Sequence, residues 1–154
     1  MIYLLFKPHK FNPKLSVLLA SALLTTACIP HQQIPDSQRI QCLQQLAAKD
    51  NFSATPGTLY TGVHDPLERA RLNAHFRKSA QQLTNAIQAH AEHQALLKIF
   101  GDEINQVDRE QLDTEDASQV ALTYEKALDC LGFESSEGIL NRWMYGEELM
   151  KLIN

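Results

Sequence analysis

The longest regular pattern in the chain is a stripe of apolar residues that predicts one long amphipathic helix. Over about 25 residues, apolar side chains recur at steps of three and four, at Leu72, Phe76, Ala80, Leu83, Ile87 and Ala91. This spacing places them on one face of a helix, and that face must be buried against other elements. Asp65 and Pro66 mark the start, because aspartate caps a helix N-terminus and proline suits the first helical position.

Three further segments carry the same spacing, and together with the long helix they predict an all-α fold. Apolar faces of this kind run through residues 37–49, 94–107 and 115–131. Asp36 or Ser37 is the expected cap of the first of these helices. Asp113 or Thr114 is the expected cap of the third, and Gly132 is expected to end it. A last helix is expected in the C-terminal part, with a break at Gly146. We therefore expect residues 36–154 to form one domain, a small bundle of four to five helices with one long irregular loop.

That loop, residues 50–65, is richer in special residues than a connector needs. It holds turn-forming proline and glycine together with aromatic residues and a histidine. Loops positioned by a rigid scaffold often carry function, and Tyr60 and His64 are the candidates here for contact with a partner. The alternative is that Phe52, Leu59 and Tyr60 simply fill the end of the bundle.

Beyond its first 27 residues, the chain is clearly acidic. The whole sequence has a formal net charge of −4, and residues 1–27 hold three of its 14 Lys and Arg but none of its 18 Asp and Glu, so the rest carries −7. Nucleic-acid binding relies on clustered Lys and Arg, so we expect no nucleic-acid partner. An acidic surface would instead suit a basic protein.

One basic cluster stands out against this acidic background, in the first half of the long helix. It consists of Arg69, Arg71, Arg77 and Lys78. Such a cluster could meet an acidic partner. The alternative is that these side chains are solvated and paired with acidic neighbours, and exposed pairs of that kind contribute only about 0–1 kcal/mol each.

The first 28 residues have the layout of a secretory signal. Residues 1–14 hold three lysines and no acid, and residues 15–27 are uncharged and largely apolar. The apolar run is too short for a membrane-spanning helix, which needs about 20 apolar residues. Small residues then lead directly into Cys28. This segment resembles the precursors of bacterial lipoproteins, whose lipobox ends in a small residue followed by cysteine.

The resemblance implies that cleavage after Ala27 removes residues 1–27 as a signal peptide. Cys28 then becomes the lipidated first residue, held in the membrane by acyl chains such as palmitate, and residues 28–35 form the anchor and a tether. In diderm bacteria the next residue directs sorting, and Ile29 is not the aspartate that retains lipoproteins in the inner membrane. The resemblance thus implies an outer-membrane lipoprotein facing the periplasm. An ordinary cleaved signal peptide, with Cys28 as a free or paired thiol, is the alternative.

Two cysteines remain after such processing, Cys42 and Cys130. In an oxidising periplasm, two cysteines of this kind are expected to form one disulfide. The bridge would close a loop of roughly 90 residues, for which chain entropy gives about 4 kcal/mol of stabilisation. Two buried and unpaired thiols are the alternative, since free cysteine behaves as a small hydrophobe.

No residue pattern indicates catalysis or a cofactor. The sequence has no Ser-His-Asp signature, nucleophile elbow, phosphate-binding glycine loop or clustered Cys/His site. His90 and His93, expected near the end of the long helix, would share one side of that helix, but a third metal ligand is missing. We therefore expect neither an enzyme nor a metal site.

The C-terminal part carries a second resemblance. Residues 112–146, which end in Glu-Ser-Ser-Glu-Gly-Ile-Leu-Asn-Arg-Trp-Met-Tyr-Gly, are similar to a small bacterial family of unknown function. That resemblance provides no catalytic residue. The only tryptophan of the chain, Trp143, is expected to supply core area, and an anchor for a partner is the alternative.

Together these features favour a non-catalytic binding lipoprotein of the cell envelope. Its sharpest form is an immunity-type inhibitor of a toxin or lytic enzyme, because an acidic inhibitor can mask a basic active-site cleft. The candidate contacts are Tyr60 and His64 in the loop, with Tyr145, Glu147 and Glu148 near the C-terminus. The alternative function is a structural or assembly lipoprotein of a larger envelope complex.

Overall fold

The computed structural model describes the backbone of residues 34–153 and the side chains of residues 34–147. This part of the chain forms five helices, α1 (Asp36–Ala47), α2 (Pro66–Gln88), α3 (His93–Ile104), α4 (Thr114–Leu131) and α5 (Ile139–Ile153). A 3-10 turn, Arg109–Gln111, lies between α3 and α4. Over these residues the predicted all-α bundle is confirmed. The predicted signal peptide and Cys28 lie outside the described residues.

The two longest helices, α2 and α4, begin at the residues that the sequence predicted. The Asp65 carboxylate accepts a hydrogen bond of 3.0 Å from the Leu67 amide at the start of α2. Asp113 does the same at the start of α4, accepting from the Asp116 amide at 2.8 Å. Gly132 ends α4 with a φ of 72°, a left-handed conformation that glycine adopts without a steric penalty.

The end of α2 differs from the prediction. The helix stops at Gln88, and His90 takes a positive φ of 56°. The Ala91 amide donates to the Ala86 carbonyl at 2.9 Å, which is the bond that closes a Schellman motif. His93 then begins α3. The prediction that both histidines share one helix side was wrong, because the chain turns between them.

The start of α1 also differs from the prediction. No side chain caps this helix; instead the Pro35 carbonyl accepts hydrogen bonds from the amides of Gln38 and Arg39 at 2.9 and 3.0 Å. The predicted cap, Asp36 or Ser37, was wrong because both residues already lie inside the helix. Asp36 pairs with Arg39 at 3.0 Å, which places its charge in the first turn, where it suits the helix dipole.

The core is built around Tyr124 of α4. The ring edges of Phe76 from α2 and Phe100 from α3 meet it at centroid distances of 5.4 and 5.5 Å. The Tyr124 hydroxyl forms a 2.8 Å hydrogen bond with Ser79, whose hydroxyl also lies 3.1 Å from a Glu103 carboxylate oxygen. Buried polar groups must be satisfied in this way, so the pairing ties α2, α3 and α4 together in one register.

A disulfide joins α1 to α4. Cys42 and Cys130 are bonded, with Cα atoms 5.3 Å apart and a separation of 88 positions in the sequence. Cys130 is buried, and Cys42 packs half-buried against the core. The predicted pairing is confirmed, and the alternative of two free thiols is wrong.

The last helix, α5, packs on α3 and α4. A Cβ atom placed at Gly101 would lie 3.4 Å from Cδ1 of Ile139, so the glycine lets α5 approach α3 closely. Trp143 is only 8% exposed, and its Nε1 donates to the Val107 carbonyl at 2.9 Å. Its predicted place in the core is confirmed. The predicted break is also present, since Gly146 has a φ of 78° inside α5.

Candidate functional site

Helix termini and connections gather at two ends of the bundle. One end, which we call the tether end, holds the residues that enter from the N-terminal side. Ile34 lies against Gly132 after α4, where an added Cβ would be 3.0 Å from Cδ1 of Ile34. Asp36 at the start of α1 is 3.8 Å from His90 after α2. The chain that precedes residue 34 therefore joins the bundle at this end.

The opposite end, which we call the loop end, carries residues 48–65 and the starts of α2 and α4. The Asn51 amide donates to Oδ1 of Asn73 on α2 at 3.0 Å, and the Asn51 carbonyl accepts from Nε2 of Gln119 on α4 at 2.7 Å. The 23 residues of α2, at a rise of about 1.5 Å each, separate the two ends by about 34 Å.

The loop is fixed at its base by burial and by backbone pairing. Phe52 is 1% exposed, and its carbonyl accepts from the buried Val63 amide at 3.0 Å. An isolated antiparallel bridge joins Ser53 to Gly62. Gly62 has a φ of 84°, and a Cβ there would lie 2.6 Å from the Ala54 backbone nitrogen, so only glycine fits. This single bridge holds the two arms of the loop together.

Two leucines at the loop end are turned outward. Leu59, near the tip of the loop, is 99% exposed, and Leu67, in the first turn of α2, is 81% exposed. The alternative drawn from the sequence was that Phe52, Leu59 and Tyr60 fill the bundle end. Phe52 does so, while Leu59 presents its whole side chain to solvent. An exposed apolar patch is typical of interaction sites, and Leu59 and Leu67 are candidates for such a contact at the loop end.

The Tyr60 side chain connects the loop to α4. Its hydroxyl donates a 2.9 Å hydrogen bond to Oδ1 of Asp116, and the ring is half-buried. Burial, followed by the hydrogen bond to this carboxylate, raises the pKa of the Tyr60 hydroxyl well above its usual value of 10.0. Tyr60 therefore stays protonated, and hence a hydrogen-bond donor, throughout the physiological pH range.

Carboxylates surround this contact. Burial raises the pKa of Asp116 above its usual value; the Tyr60 hydrogen bond opposes that rise, the charge of Asp113 adds to it, and His64 opposes it. These interactions place His64 and Asp113 close to Asp116. We define the loop-end surface as the six side chains Leu59, Tyr60, His64, Leu67, Asp113 and Asp116.

The candidates near the C-terminus are less organised. Tyr145 is 60% exposed, and Glu147 lies 3.9 Å from Arg142. The side chain of Glu148 lies outside the described part of the chain. Among the side chains of residues 34–147, no hydrogen bond, ion pair or ring contact joins Tyr145 or Glu147 to the loop-end surface. Within the described side chains, the two candidate regions predicted from the sequence are therefore not joined by a direct contact.

Four members of the loop-end surface were not predicted as contact residues, namely Leu59, Leu67, Asp113 and Asp116. Asp113 was recognised only as a helix cap, and Leu67 lies outside the predicted stripe. The sequence signal for these positions was the two predicted helix starts, since acidic residues are favoured in the first turn of a helix. Nothing in the local sequence shows that these two helix starts lie side by side.

The described residues contain neither a metal-binding group of side chains nor a membrane-spanning helix. In residues 34–147, no group of three or more His, Cys, Asp or Glu side chains is arranged to hold a metal ion. No helix in the described part of the chain is long and apolar enough to cross a membrane.

The comparison with protein families is decisive for classification. The domain of unknown function DUF4844 matches residues 33–148. The chain belongs to the DUF4844 family. The DUF4844 match begins just before α1 and extends into α5, so it includes the segment predicted to resemble a small bacterial family of unknown function. No curated protein matches the chain.

A solved structure agrees with this DUF4844 fold. The crystal structure of a DUF3571 family protein from Acinetobacter baumannii is similar to this chain, with a TM-score of 0.68 and 44% sequence identity. The similarity covers 77% of this chain and 98% of that chain. The Acinetobacter structure therefore corresponds to most of this chain at a level of identity at which folds are shared.

Proposed function

We propose that this DUF4844 protein is a non-catalytic binding lipoprotein of the cell envelope that holds a protein partner on its loop-end surface. The observation that carries the proposal is the exposure of Leu59, which is 99% exposed on a loop whose neighbouring residue is hydrogen-bonded to α4. This bond restrains the loop next to Leu59 and so reduces the conformational entropy that the loop loses on binding. The exposed leucine therefore has the character of an interface anchor.

Charge indicates the kind of partner. Asp113 caps α4, and Glu115 and Asp116 lie in its first turn, so carboxylates stand at the helix start to which Tyr60 is hydrogen-bonded. An apolar centre with an acidic rim suits a partner that is basic around an apolar pocket. The sharpest form of the proposal is an immunity-type inhibitor that covers the basic cleft of a toxin or lytic enzyme.

The disulfide supports the proposed compartment. Bonds such as Cys42–Cys130 persist in secreted and periplasmic proteins and are rare in the reducing cytosol. This agrees with export by a signal peptide and with lipidation of Cys28, which would attach the chain to the outer membrane facing the periplasm.

The arrangement of the two ends of the bundle agrees with such an anchor. Residue 34 joins the bundle at the tether end, and the loop-end surface lies at the other end, about 34 Å away along α2. The described part of the chain thus begins at the end of the bundle opposite to the loop-end surface.

Affinity capture with matched variants tests the proposed binding surface. The full-length protein, purified from membranes in detergent, would be used to capture partners from an envelope extract beside Leu59→Asp and Leu122→Asp. Leu122 is an exposed leucine on α4 and serves as the control. We expect one stoichiometric partner with the wild type and with Leu122→Asp, and none with Leu59→Asp. Retention of the partner by Leu59→Asp would refute the proposed surface.

The identity of the captured protein separates the two roles. A toxin or lytic enzyme would support the inhibitor form, whereas a component of an envelope assembly would favour the structural alternative. Labelling cells with palmitate tests the anchor independently. We expect the wild type to incorporate label and Cys28→Ala to incorporate none, and an unlabelled wild type would refute lipidation.

A further inference from the structure

A cleft of about 360 Å³ lies at the loop end, between the residues that follow α1 and the first half of α2. Its charged lining consists of Lys49, Asp50, Arg69 and Arg77. These side chains amount to a local net charge of +2, in a chain whose residues from 28 onward carry −7. The cleft does not include any of the six side chains of the loop-end surface.

The structure divides the basic cluster that the sequence singled out. Arg71 is paired with Glu68 through two hydrogen bonds of 2.6 and 2.8 Å. Lys78 donates to Gln106 at 2.9 Å and lies 3.6 Å from Glu103. Arg71 and Lys78 therefore interact with groups of the protein itself. This agrees with the alternative in which the basic side chains pair with acidic neighbours. The other two members, Arg69 and Arg77, line the cleft.

Arg69 lies beside a carboxylate that is hydrogen-bonded to a buried side-chain amide. Its Nε lies 3.5 Å from Oδ2 of Asp50, and Oδ1 of Asp50 accepts from Nδ2 of Asn73 at 2.6 Å. Asn73 is buried and also donates to the Arg69 carbonyl at 3.1 Å. Asp50 thus places a carboxylate beside one edge of the Arg69 guanidinium, and both side chains remain partly exposed, at 41% and 43%.

The other two cations of the cleft are unengaged. No hydrogen bond or ion pair with a side chain or carbonyl of residues 34–147 involves the Lys49 ammonium or the Arg77 guanidinium. Both are therefore available to a ligand without breaking an internal contact. Lys49 comes from the end of α1 and Arg77 from α2, so a bound anion would be contacted from two sides.

We propose that this cleft is a binding site for a phosphate group. A phosphate monoester carries about −1.5 to −2 charges at pH 7, which matches the local charge of the cleft. Guanidinium groups bind phosphate oxygens in a bidentate manner, and a lysine adds a point charge. The volume falls in the range of about 300–1,000 Å³ that is usual for small-molecule sites. This site stands independently of the proposed partner surface.

Titration with inorganic phosphate tests the site. Amide NMR shifts of the full-length protein in detergent would be followed at constant ionic strength, with chloride as the reference anion. We expect saturable shifts in residues 48–50 and 66–77, with a dissociation constant on the order of 1 mM. The double variant Lys49→Gln/Arg77→Gln should weaken binding at least about fivefold, since it removes two of three cations.

Lys126→Gln is the matched control, because it removes one positive charge from an exposed position on α4 outside the cleft. It should leave phosphate binding unchanged. Shifts that do not saturate, or that fall equally in Lys126→Gln and the double variant, would show a general charge effect and overturn the proposal.

The source of the phosphate is distinguished by two further probes. Competition by glycerol 3-phosphate would assign the site to a soluble phosphorylated molecule. Cosedimentation with phosphatidic acid vesicles, lost in the double variant, would assign it to a lipid headgroup. Both outcomes support a phosphate site, and absence of binding to inorganic phosphate, glycerol 3-phosphate and the vesicles would refute it.

Discussion

The Tyr60 hydroxyl donates a 2.9 Å hydrogen bond to the Asp116 carboxylate and so joins the irregular loop to the first turn of α4. The two residues are 56 positions apart in the sequence. Leu59 precedes Tyr60 directly, so the same contact limits the positions that the exposed leucine can take. The proposed binding surface depends on this one connection between two elements.

Removing the Tyr60 hydroxyl should loosen the loop without unfolding the bundle. Tyr60→Phe loses one hydrogen bond to a partly buried carboxylate, and we expect the free energy of unfolding to fall by about 1 kcal/mol. Urea denaturation would measure it. Tyr145→Phe is the control, since Tyr145 is 60% exposed and should change stability by less than about 0.5 kcal/mol. Equal effects of the two substitutions would show that the Asp116 contact contributes nothing.

The two hydrophobic residues of the loop should respond in opposite ways. Phe52 is 1% exposed and Leu59 is 99% exposed. Phe52→Ala leaves a cavity and should lower the free energy of unfolding by about 3–5 kcal/mol. Leu59→Ala should change it by no more than about 0.5 kcal/mol. Thermal or urea unfolding of both variants checks this, and a large loss of stability in Leu59→Ala would mean that Leu59 is part of the core.

The pH dependence of stability should carry a contribution from Asp116. Burial raises its pKa in the folded protein above the usual 3.8. The folded chain then binds this proton more tightly than the unfolded chain does, so the stabilising contribution is present at acidic pH and is lost as pH rises from 3.8 through the raised pKa.

Asp116→Asn isolates this contribution, because it keeps the acceptor for Tyr60 and cannot titrate. We expect the free energy of unfolding of the wild type, minus that of Asp116→Asn, to decrease as pH rises through the window and then to level off. Urea denaturation at a series of pH values would measure the difference. A difference that increases with pH would mean that the folded state favours the ionised carboxyl.

The disulfide between Cys42 and Cys130 closes a loop of 88 residues. Chain entropy predicts that the double variant Cys42→Ala/Cys130→Ala loses about 4 kcal/mol of stability, measured by urea denaturation. The wild type treated with reductant should show a similar loss. If the double variant unfolds at nearly the same urea concentration as the untreated wild type, the bridge does not constrain the unfolded chain as the entropy account requires.

The sequence predicts most of the helices because their signals are local. The stripe of α2, the Asp65–Pro66 start and the Gly132 end of α4 each depend on residues a few positions apart. The end of α2 was missed because His90 adopts the left-handed conformation that glycine usually occupies there. The predicted cap of α1 also failed, because Pro35 occupies the cap position and both polar candidates, Asp36 and Ser37, lie within the helix.

The surface features could not be predicted to the same extent. Tyr60 was a candidate, but its partner Asp116 lies on another helix, and no local rule connects the two. The sequence places Arg69 and Arg77 in one basic cluster with Arg71. It does not show that Arg71 pairs with Glu68, whereas Arg69 and Arg77 line the cleft. Lys49 completes the cleft from the segment that follows α1. These relationships arise from helix packing and not from sequence spacing.

Photocrosslinking in living cells tests the central claim most directly, namely that a protein partner binds at the loop end. A photoreactive amino acid would replace Leu59 in one strain and Lys126 in another, both of them exposed positions. The account predicts one discrete crosslinked protein from position 59 and none from position 126. No adduct at position 59, or the same adduct from both positions, would contradict it.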